Sequence, residues 1–495
     1  LFFMLESFKK ILYFFILFNS FIPSALADDF DFDFDEDFVI DDDPGIDDSV
    51  KNNISSEEVQ FLAILAETQQ EPIWNQTRPT RGRDPLYLMT SSLRDPTFRG
   101  LYLNIFYNFT NKMPTSLGDA FSLNFNTQQQ EDSFFTTLAA IAKANNGVDA
   151  DSDDIATLMP MFENLWVQER KFGILTKLSL YNKPFSLRFE LPVLLSERNL
   201  MTSKSAQNRI NQLIEENFGT FDTGLNKERE FARIRIGIGD LRTRFGVNFQ
   251  NHKKFIVCGG VSTIIPTAVG LLLDGKFKHP IEEYEIDDSL VGMLNNARKT
   301  LLDPELGNNG HFGLGIYLES KLNLASDVIS LWGRFSYEDL FTAKEHRLIM
   351  SKKTLESARI IAQGGATDEE FEEFRDQYVT PQSYGVAVNP GGVFNIALMA
   401  DFKWGGFSVG VGYDYYFKQR EVFERLYDDN VSMNSLRVTD AVVDRAFQHK
   451  LTAELNYETG RKNSKFYIGL GCEATMAHRN LGSAWTIYSK IGFDF

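Results

Sequence analysis

Phe394-Asn395-Ile396-Ala397-Leu398-Met399-Ala400-Asp401-Phe402-Lys403-Trp404 and, just beyond Gly405, Phe407-Ser408-Val409-Gly410-Val411-Gly412-Tyr413-Asp414-Tyr415-Tyr416-Phe417-Lys418 repeat one pattern. In the first stretch Phe394, Ile396, Leu398, Ala400, Phe402 and Trp404 alternate with residues that include Asn395, Asp401 and Lys403. In the second, Phe407, Val409, Val411, Tyr413, Tyr415 and Phe417 alternate with a set that includes Ser408, Asp414 and Lys418. Successive side chains of a strand point to opposite faces. Each stretch therefore has one continuous apolar face and one polar face. Leu187, Phe189, Leu191 and Val193 repeat the alternation, as do Leu451, Ala453, Leu455 and Tyr457.

A soluble antiparallel sheet can alternate in the same way. Three features separate this chain from one. The segments run to about ten residues or more, against ~5–6 for a globular strand. Tyr, Trp and Phe stand at the ends of the apolar face, where an interfacial girdle belongs. The chain closes on Trp485-x-Ile487-x-Ser489-x-Ile491-x-Phe493-x-Phe495. With Trp485, Ile487, Ile491, Phe493 and the terminal Phe495, that stretch resembles the C-terminal assembly signal of Gram-negative outer-membrane β-barrels. The resemblance implies outer-membrane lipid, periplasmic chaperones and the barrel-assembly machinery as partners. The reading is an all-β, transmembrane antiparallel β-barrel.

Composition narrows the alternatives. The chain has 495 residues, with 50 Lys+Arg against 68 Asp+Glu and a net charge of -18. A nucleic-acid binder would carry a basic field. Two cysteines exclude a disulfide scaffold or a multi-Cys zinc module. Cys258 and Cys472 fall on strands that are not neighbours in order, so both are read as free thiols.

The N-terminal part divides into three. Lys9 and Lys10, the apolar run Ile11–Phe18 and Ala25-Leu26-Ala27 have the layout of a secretory signal peptide cut after Ala27. Residues 28–54 form an acidic segment, with twelve acids and no base between Asp28 and Asp48; such dense like charge predicts a solvated, unfolded spacer. In residues 55–84, Ser55 and Glu58 make a capping box, and Val59, Leu62, Leu65 and Ala66 share one helical face. That helix, Ser55–Gln70, is a candidate plug or a periplasmic element. The barrel is placed at 85–495. Phe255–Leu273 carries no charge, but its glycines, Pro266 and β-branched residues read as a strand and its exit turn.

Candidate strands fall near 99–110, 118–126, 171–181, 184–194, 231–250, 254–266, 310–321, 327–337, 392–404, 406–418, 446–458, 463–474 and 483–495. The segment 231–250 must be one strand with a bulge at Gly239-Asp240, because its apolar parity switches there. Counted back from the C-terminus, the long connections then lie outside and the short ones inside. A further short strand near Leu86–Met89 would make the total even, so the expectation is about 14 strands, within roughly 12 to 16. Amphipathic stretches such as Ser203–Phe218, Asp288–Leu302 and Ser351–Gln363 predict helical outer loops.

The polar faces carry a charge ladder. Arg188, Glu190, Arg233, Arg235, Arg242 and Arg244 alternate with apolar residues and are assigned to the lumen. A charged ring there sets ion preference, or else it pairs with lumenal acids such as Glu190, Glu319 and Asp401 and braces the wall. Gly237-x-Gly239-Asp240-Leu241 and Ile265-Pro266-Thr267-Ala268, about 30 residues in all, resemble the outer-membrane channels of the phenol-degradation (meta-pathway) family and, more distantly, long-chain fatty-acid channels. In those families a Gly-Asp-Leu and a Pro-Thr-Gly bound consecutive strands; here Ala268 replaces the last glycine. The resemblance implies a plugged barrel of about 14 strands with an apolar route.

Six histidines are present, none paired as His-x-Ser, and no Gly-x-Ser-x-Gly, His-Glu-x-x-His or phosphate-binding glycine motif occurs. The sequence thus reads as a non-enzyme, with no cofactor and no metal. The expected function is a porin-like outer-membrane channel for small solutes, including hydrophobic compounds. Small lumenal residues such as Gly315, Gly412, Gly469 and Gly471 are taken to leave space for them. A surface or adhesion protein anchored by the barrel is the alternative, and an outer-membrane hydrolase the third reading. Deleting Phe495, or replacing it with a charged residue, should lower the yield of folded barrel, read as the intensity of the heat-modifiable gel band. An unchanged band would count against the assembly role.

Overall fold

In the computed structural model the described residues are 78–88, 98–113, 166–201, 232–251, 254–271, 277–278, 302–324, 328–352, 382–427, 431–461 and 464–494. The signal peptide, the acidic segment, the Ser55–Gln70 helix, the 118–126 strand, the Ser203–Phe218 helix and Phe495 lie outside them. So do nearly all of Asp288–Leu302 and Ser351–Gln363.

The alternating stretches become long wall strands. The first four are β1 (Gly100–Met113), β2 (Trp166–Asn182), β3 (Phe185–Met201) and the pair β4 (Ala232–Ile238) with β5 (Leu241–Asn251). Strand β3 pairs with both β4 and β5, so these two form one wall strand broken at Gly239-Asp240. Next come β6 (Phe255–Ile265), continued by β7 (Val269–Leu271), and the two-residue β8 (Phe277–Lys278) outside the wall. The wall resumes with β9 (Gly313–Leu324) and β10 (Ile329–Leu340). Two strands outside it, β11 (Ala343–Ile349) and β12 (Gln382–Asn389), precede β13 (Gly391–Trp404) and β14 (Phe407–Lys418). Strand β15 (Val422–Leu426) again leaves the wall, and β16 (Ala446–Arg461), β17 (Ser464–Arg479) and β18 (Ser483–Asp494) complete it.

Every wall strand runs antiparallel to its neighbour, and β1 pairs with β18 on one side and β2 on the other. The sheet therefore closes, with 12 strands in the wall. Closure removes the edges whose unpaired amides and carbonyls lipid would leave unsatisfied.

The count is 12 rather than 14, for two reasons. Strand β1 pairs directly with β2, so no strand stands between them in the wall. Residues 111–113, expected in an inner turn, finish β1 instead. Pro85–Tyr87 is not a strand but a single 3-10 turn, capped by the Asp84 carboxylate accepting from the Leu86 amide. Proline at its first position suits such a start.

The helices expected in the outer connections fall almost wholly outside the described residues, and what is described of those connections includes strands. Strands β11, β12 and β15 form a separate three-stranded sheet at the outer rim. Its core is Ile349, Tyr384, Val386, Val388 and Phe423, packed with Leu436, Ala441 and Val442 from the β14–β16 connection. The only α-helix there among the described residues is the one-turn α1 (Val438–Ala441).

The outer face of the wall is apolar. Phe172, Ile234, Ile316, Leu398, Val411 and Leu455 are each about half exposed to what would be lipid. Aromatic pairs mark both rims: Phe407–Tyr457 and Phe466–Phe493 at one, Phe109–Trp485 and Phe312–Phe341 at the other. On β18, Trp485, Ile487 and Phe493 face out, while Ala484, Thr486 and Tyr488 are buried. Replacing outward Leu398, near the middle of β13, with Arg should cost about 2–4 kcal/mol in reversible unfolding from vesicles. A cost below 1 kcal/mol would mean that this face does not contact lipid.

Candidate functional site

Alternation sends every second side chain into the bore, and register decides which of them meet. Glu190 on β3 lies opposite Lys177 on β2 and Arg242 on β5. Arg188 lies opposite Arg244. Two arginines facing each other repel, and carboxylates from elsewhere in the wall resolve the conflict. Arg188 donates to Glu319 of β9 at 2.5 Å, and Arg244 sits 3.6 Å from Glu190 and 3.9 Å from Glu319. Arg242 donates to Glu190 at 3.3 Å and to Glu338 of β10 at 2.9 Å. Lys177 lies 3.5 Å from Glu190. Arg334 of β10 extends the cluster toward Asn395. All of these are buried, at 4% exposure or less.

Four residues of the sequence-derived ladder, Arg188, Glu190, Arg242 and Arg244, thus form one paired cluster. Arg233 and Arg235 do not join it. They sit above the bulge, where both reach Asp303 of the β7–β9 connection, at 3.6 and 2.8 Å. Lys177, Arg334, Glu338, Glu169, Lys171 and Arg198 went unnoticed in the sequence. Each lies at an inward position of its strand, and that parity was the available signal. Glu169 holds two cations of the outer bore, Arg198 at 2.7 Å and Lys171 at 2.8 Å.

The small lumenal residues do not leave open space. An added Cβ at Gly315 would collide with Glu338, at Gly412 with Met399, at Gly469 with Lys490 and at Gly471 with Tyr488. Long side chains from the neighbouring strand lie across each glycine. Tyr488 and Lys490 lie there because both bond to Glu454, Lys490 at 2.8 Å.

Residues 78–88, which belong to no wall strand, run from the outer mouth into the middle of the bore. Arg83 donates to Asp414 at 2.5 Å and to Gln448 at 3.1 Å. The Tyr87 hydroxyl donates to Glu338, and the Arg242 guanidinium stacks on the Tyr87 ring at 4.2 Å. Arg242 also donates to the Leu86 carbonyl at 3.1 Å. Lys171 and Arg198 donate to the carbonyls of Arg83 and Thr80. Around Leu86, Tyr87 and Leu88 runs an apolar collar that includes Phe106, Leu175, Leu194, Ile264, Val393 and Tyr416.

At the outer mouth Arg81 bonds Glu305 and reaches Glu345 at 3.1 Å and Glu421 at 3.4 Å. Arg347 bridges the same Glu345 and Glu421, at 2.8 and 3.0 Å. Burial pushes both carboxyls up, but Arg347 and Arg81 outweigh it and hold them below the usual carboxylate range. His311 spends its nitrogens on Glu345, at 2.6 Å, and on the Phe341 carbonyl, at 2.8 Å.

The two motifs behind the family resemblance meet at the bulge. The Leu241 amide donates to the Thr267 hydroxyl at 2.9 Å, which donates to the Gly239 carbonyl at 3.0 Å. Asp240 accepts from the amides of Ala268 and Asn308, at 3.1 and 2.5 Å. The motifs clip together two strands interrupted at the same height. Cys258, buried beside Ser186 and Tyr317, and exposed Cys472 are free thiols.

The closed wall, its apolar outer face and its charged interior define a transmembrane antiparallel β-barrel, the architecture of outer-membrane proteins. No family model and no curated protein matches the chain. Among solved structures it is similar to the COG4313 outer membrane channel from Pseudomonas putida F1, at 10% identity and TM-score 0.40, covering 82% of this chain and 100% of that one. It is also similar to the transport unit of the autotransporter AIDA-I from Escherichia coli, at 9% identity and TM-score 0.36, covering 83% and 94%. A third is the Ralstonia pickettii toluene transporter TbuX, at 10% identity and TM-score 0.32, covering 81% and 89%.

Glu190 carries the most partners in the lower cluster. Glu190→Gln should destabilise the barrel by about 3–5 kcal/mol, since Lys177, Arg242 and Arg244 lose their shared carboxylate in a buried site. Glu197→Gln, which removes the partly exposed partner of Arg170 at 3.8 Å, should cost about 1 kcal/mol or less. Denaturant unfolding of the two variants compares them directly; equal losses would mean the buried network is not a brace.

Proposed function

We propose that the protein is an outer-membrane channel for small solutes whose bore is held shut by its own residues 78–88. One observation carries this reading: part of the bore is filled by a stretch of chain rather than by wall side chains. Eight strands already make an interior that side chains fill; more strands enclose space. Here that space holds Arg81–Leu88, so displacing them would expose a route bounded by the apolar collar above and the charged cluster below. The collar supports passage of solutes with apolar surface. The lower cluster sets five cations, Lys177, Arg188, Arg242, Arg244 and Arg334, against Glu190, Glu319 and Glu338, which supports a preference for anions over cations.

The hydrolase reading finds less support. His311 is engaged by Glu345 and a carbonyl, and His449 pairs through Nδ1 with the Tyr413 hydroxyl at 2.5 Å on the outward face. Neither is bonded to a serine.

Replacing Arg81–Leu88 with a Gly/Ser stretch of equal length should raise single-channel conductance in planar bilayers several-fold. The heat-modifiable band confirms that the variant folds. A folded variant whose conductance matches the parent would overturn the channel reading in favour of a barrel that serves only as an anchor.

A further inference from the structure

The segment in the bore has a direction. Arg78 lies 3.5 Å from Asp444, in the β14–β16 connection just before β16 begins. Arg81 is held by Glu305, Glu345 and Glu421, all on connections of the same rim. Arg83 reaches Asp414 within β14, and Leu86 and Tyr87 reach Arg242 and Glu338 within the wall. At the opposite rim the Ser179 hydroxyl donates to the Phe98 carbonyl at 2.8 Å, and the Phe98 ring packs on Tyr102 at 4.3 Å. Gly100, which starts β1, pairs with Asp494 at the end of β18.

The rim at Phe98 carries turns such as Asn182–Phe185 and Trp404–Phe407, while the long connections after β1, β3, β7, β10 and β14 all leave the other rim. Short turns mark the periplasmic side of such barrels. The chain therefore enters the bore from the outer mouth at Arg78 and leaves at the periplasmic rim by Phe98. Ten residue steps separate Leu88 from Phe98, a reach of about 35 Å at most. A path over the outer rim and back through lipid is excluded, because its backbone would be unsatisfied there.

From this we propose that the barrel displays its own N-terminal extension: residues 54–77, which precede Arg78, lie on the outer side of the membrane. To return to the periplasm they would have to thread the bore a second time beside 78–88. Side chains of β2, β3, β5, β10, β14 and β16 bond to 78–88 from around the bore, which leaves no opening for a second chain. The segment 78–88 thus works as a tether as well as a plug. The proposal rests on the closed barrel and its orientation, and holds whether or not the bore conducts.

The test is labelling of intact cells with a membrane-impermeant maleimide, in a Cys472→Ser background. Gln70→Cys is compared with Lys352→Cys, beyond β11 on the outer side, and Lys183→Cys, in a periplasmic turn. Gln70→Cys is expected to label on intact cells as readily as Lys352→Cys, while Lys183→Cys labels only after permeabilisation. Labelling of Gln70→Cys only after permeabilisation would overturn the proposal. Should it resist labelling throughout, a protease site inserted after Gln70 decides: cleavage on intact cells supports outer display, and its absence overturns it.

Discussion

The structure depends on closing the sheet through β1, β2 and β18. In lipid a strand edge has nothing to bond to, so the wall is stable only when every strand has two neighbours. Closure sets the two environments that the side chains must satisfy. Outside, the residues are those lipid accepts, from Phe172 to Leu455. Inside, the wall encloses a bore that its own side chains do not fill. Much of the rest of the molecule answers that excess of space.

One answer is charge pairing. Charged groups cannot face lipid cheaply, so they collect within, where burial makes an unpaired charge costly. The register places Arg188 opposite Arg244, an arrangement that is tolerable only because Glu319 reaches both arginines and Glu190 reaches Arg244. Glu319 comes from β9 and Glu338 from β10, so the cluster ties together strands distant in sequence. The other answer is a guest segment. Arg81 and Arg83 extend the network inward from the mouth, and Leu86, Tyr87 and Leu88 supply the apolar body inside the collar. Filling of the bore, stability and the course of residues 78–88 thus share one set of contacts. Tyr87 shows the overlap: it donates to Glu338, which also holds Arg242 of the brace.

Local pattern determined a good deal. Period-two alternation is written residue by residue, so the wall strands from β9 onward, the inward direction of the arginines and the parity switch at Gly239-Asp240 were all legible. The same logic separated the outward set Trp485, Ile487 and Phe493 from the buried Thr486 and Tyr488. Alternation gives only a side, however. It does not say which strand comes next or what reaches across a bore.

Those matters belonged to the tertiary structure. The strand count turned on β1 pairing with β2 directly, a contact between segments more than fifty residues apart. Residues 85–87 fill the bore as a turn because Asp84 and Pro85 start one there and the collar receives its apolar side chains. Glycines read as space became seats for Glu338, Met399, Lys490 and Tyr488, since a missing Cβ on one strand invites the long side chain of the next. The strands of the outer sheet passed for loops because β11, β12 and β15 are short and hold together only through a core drawn from two connections. A face is decided by neighbours along the chain, but a partner is decided by geometry across it. The sequence alone therefore told what kind of wall this chain builds, and only the closed wall told what occupies its interior.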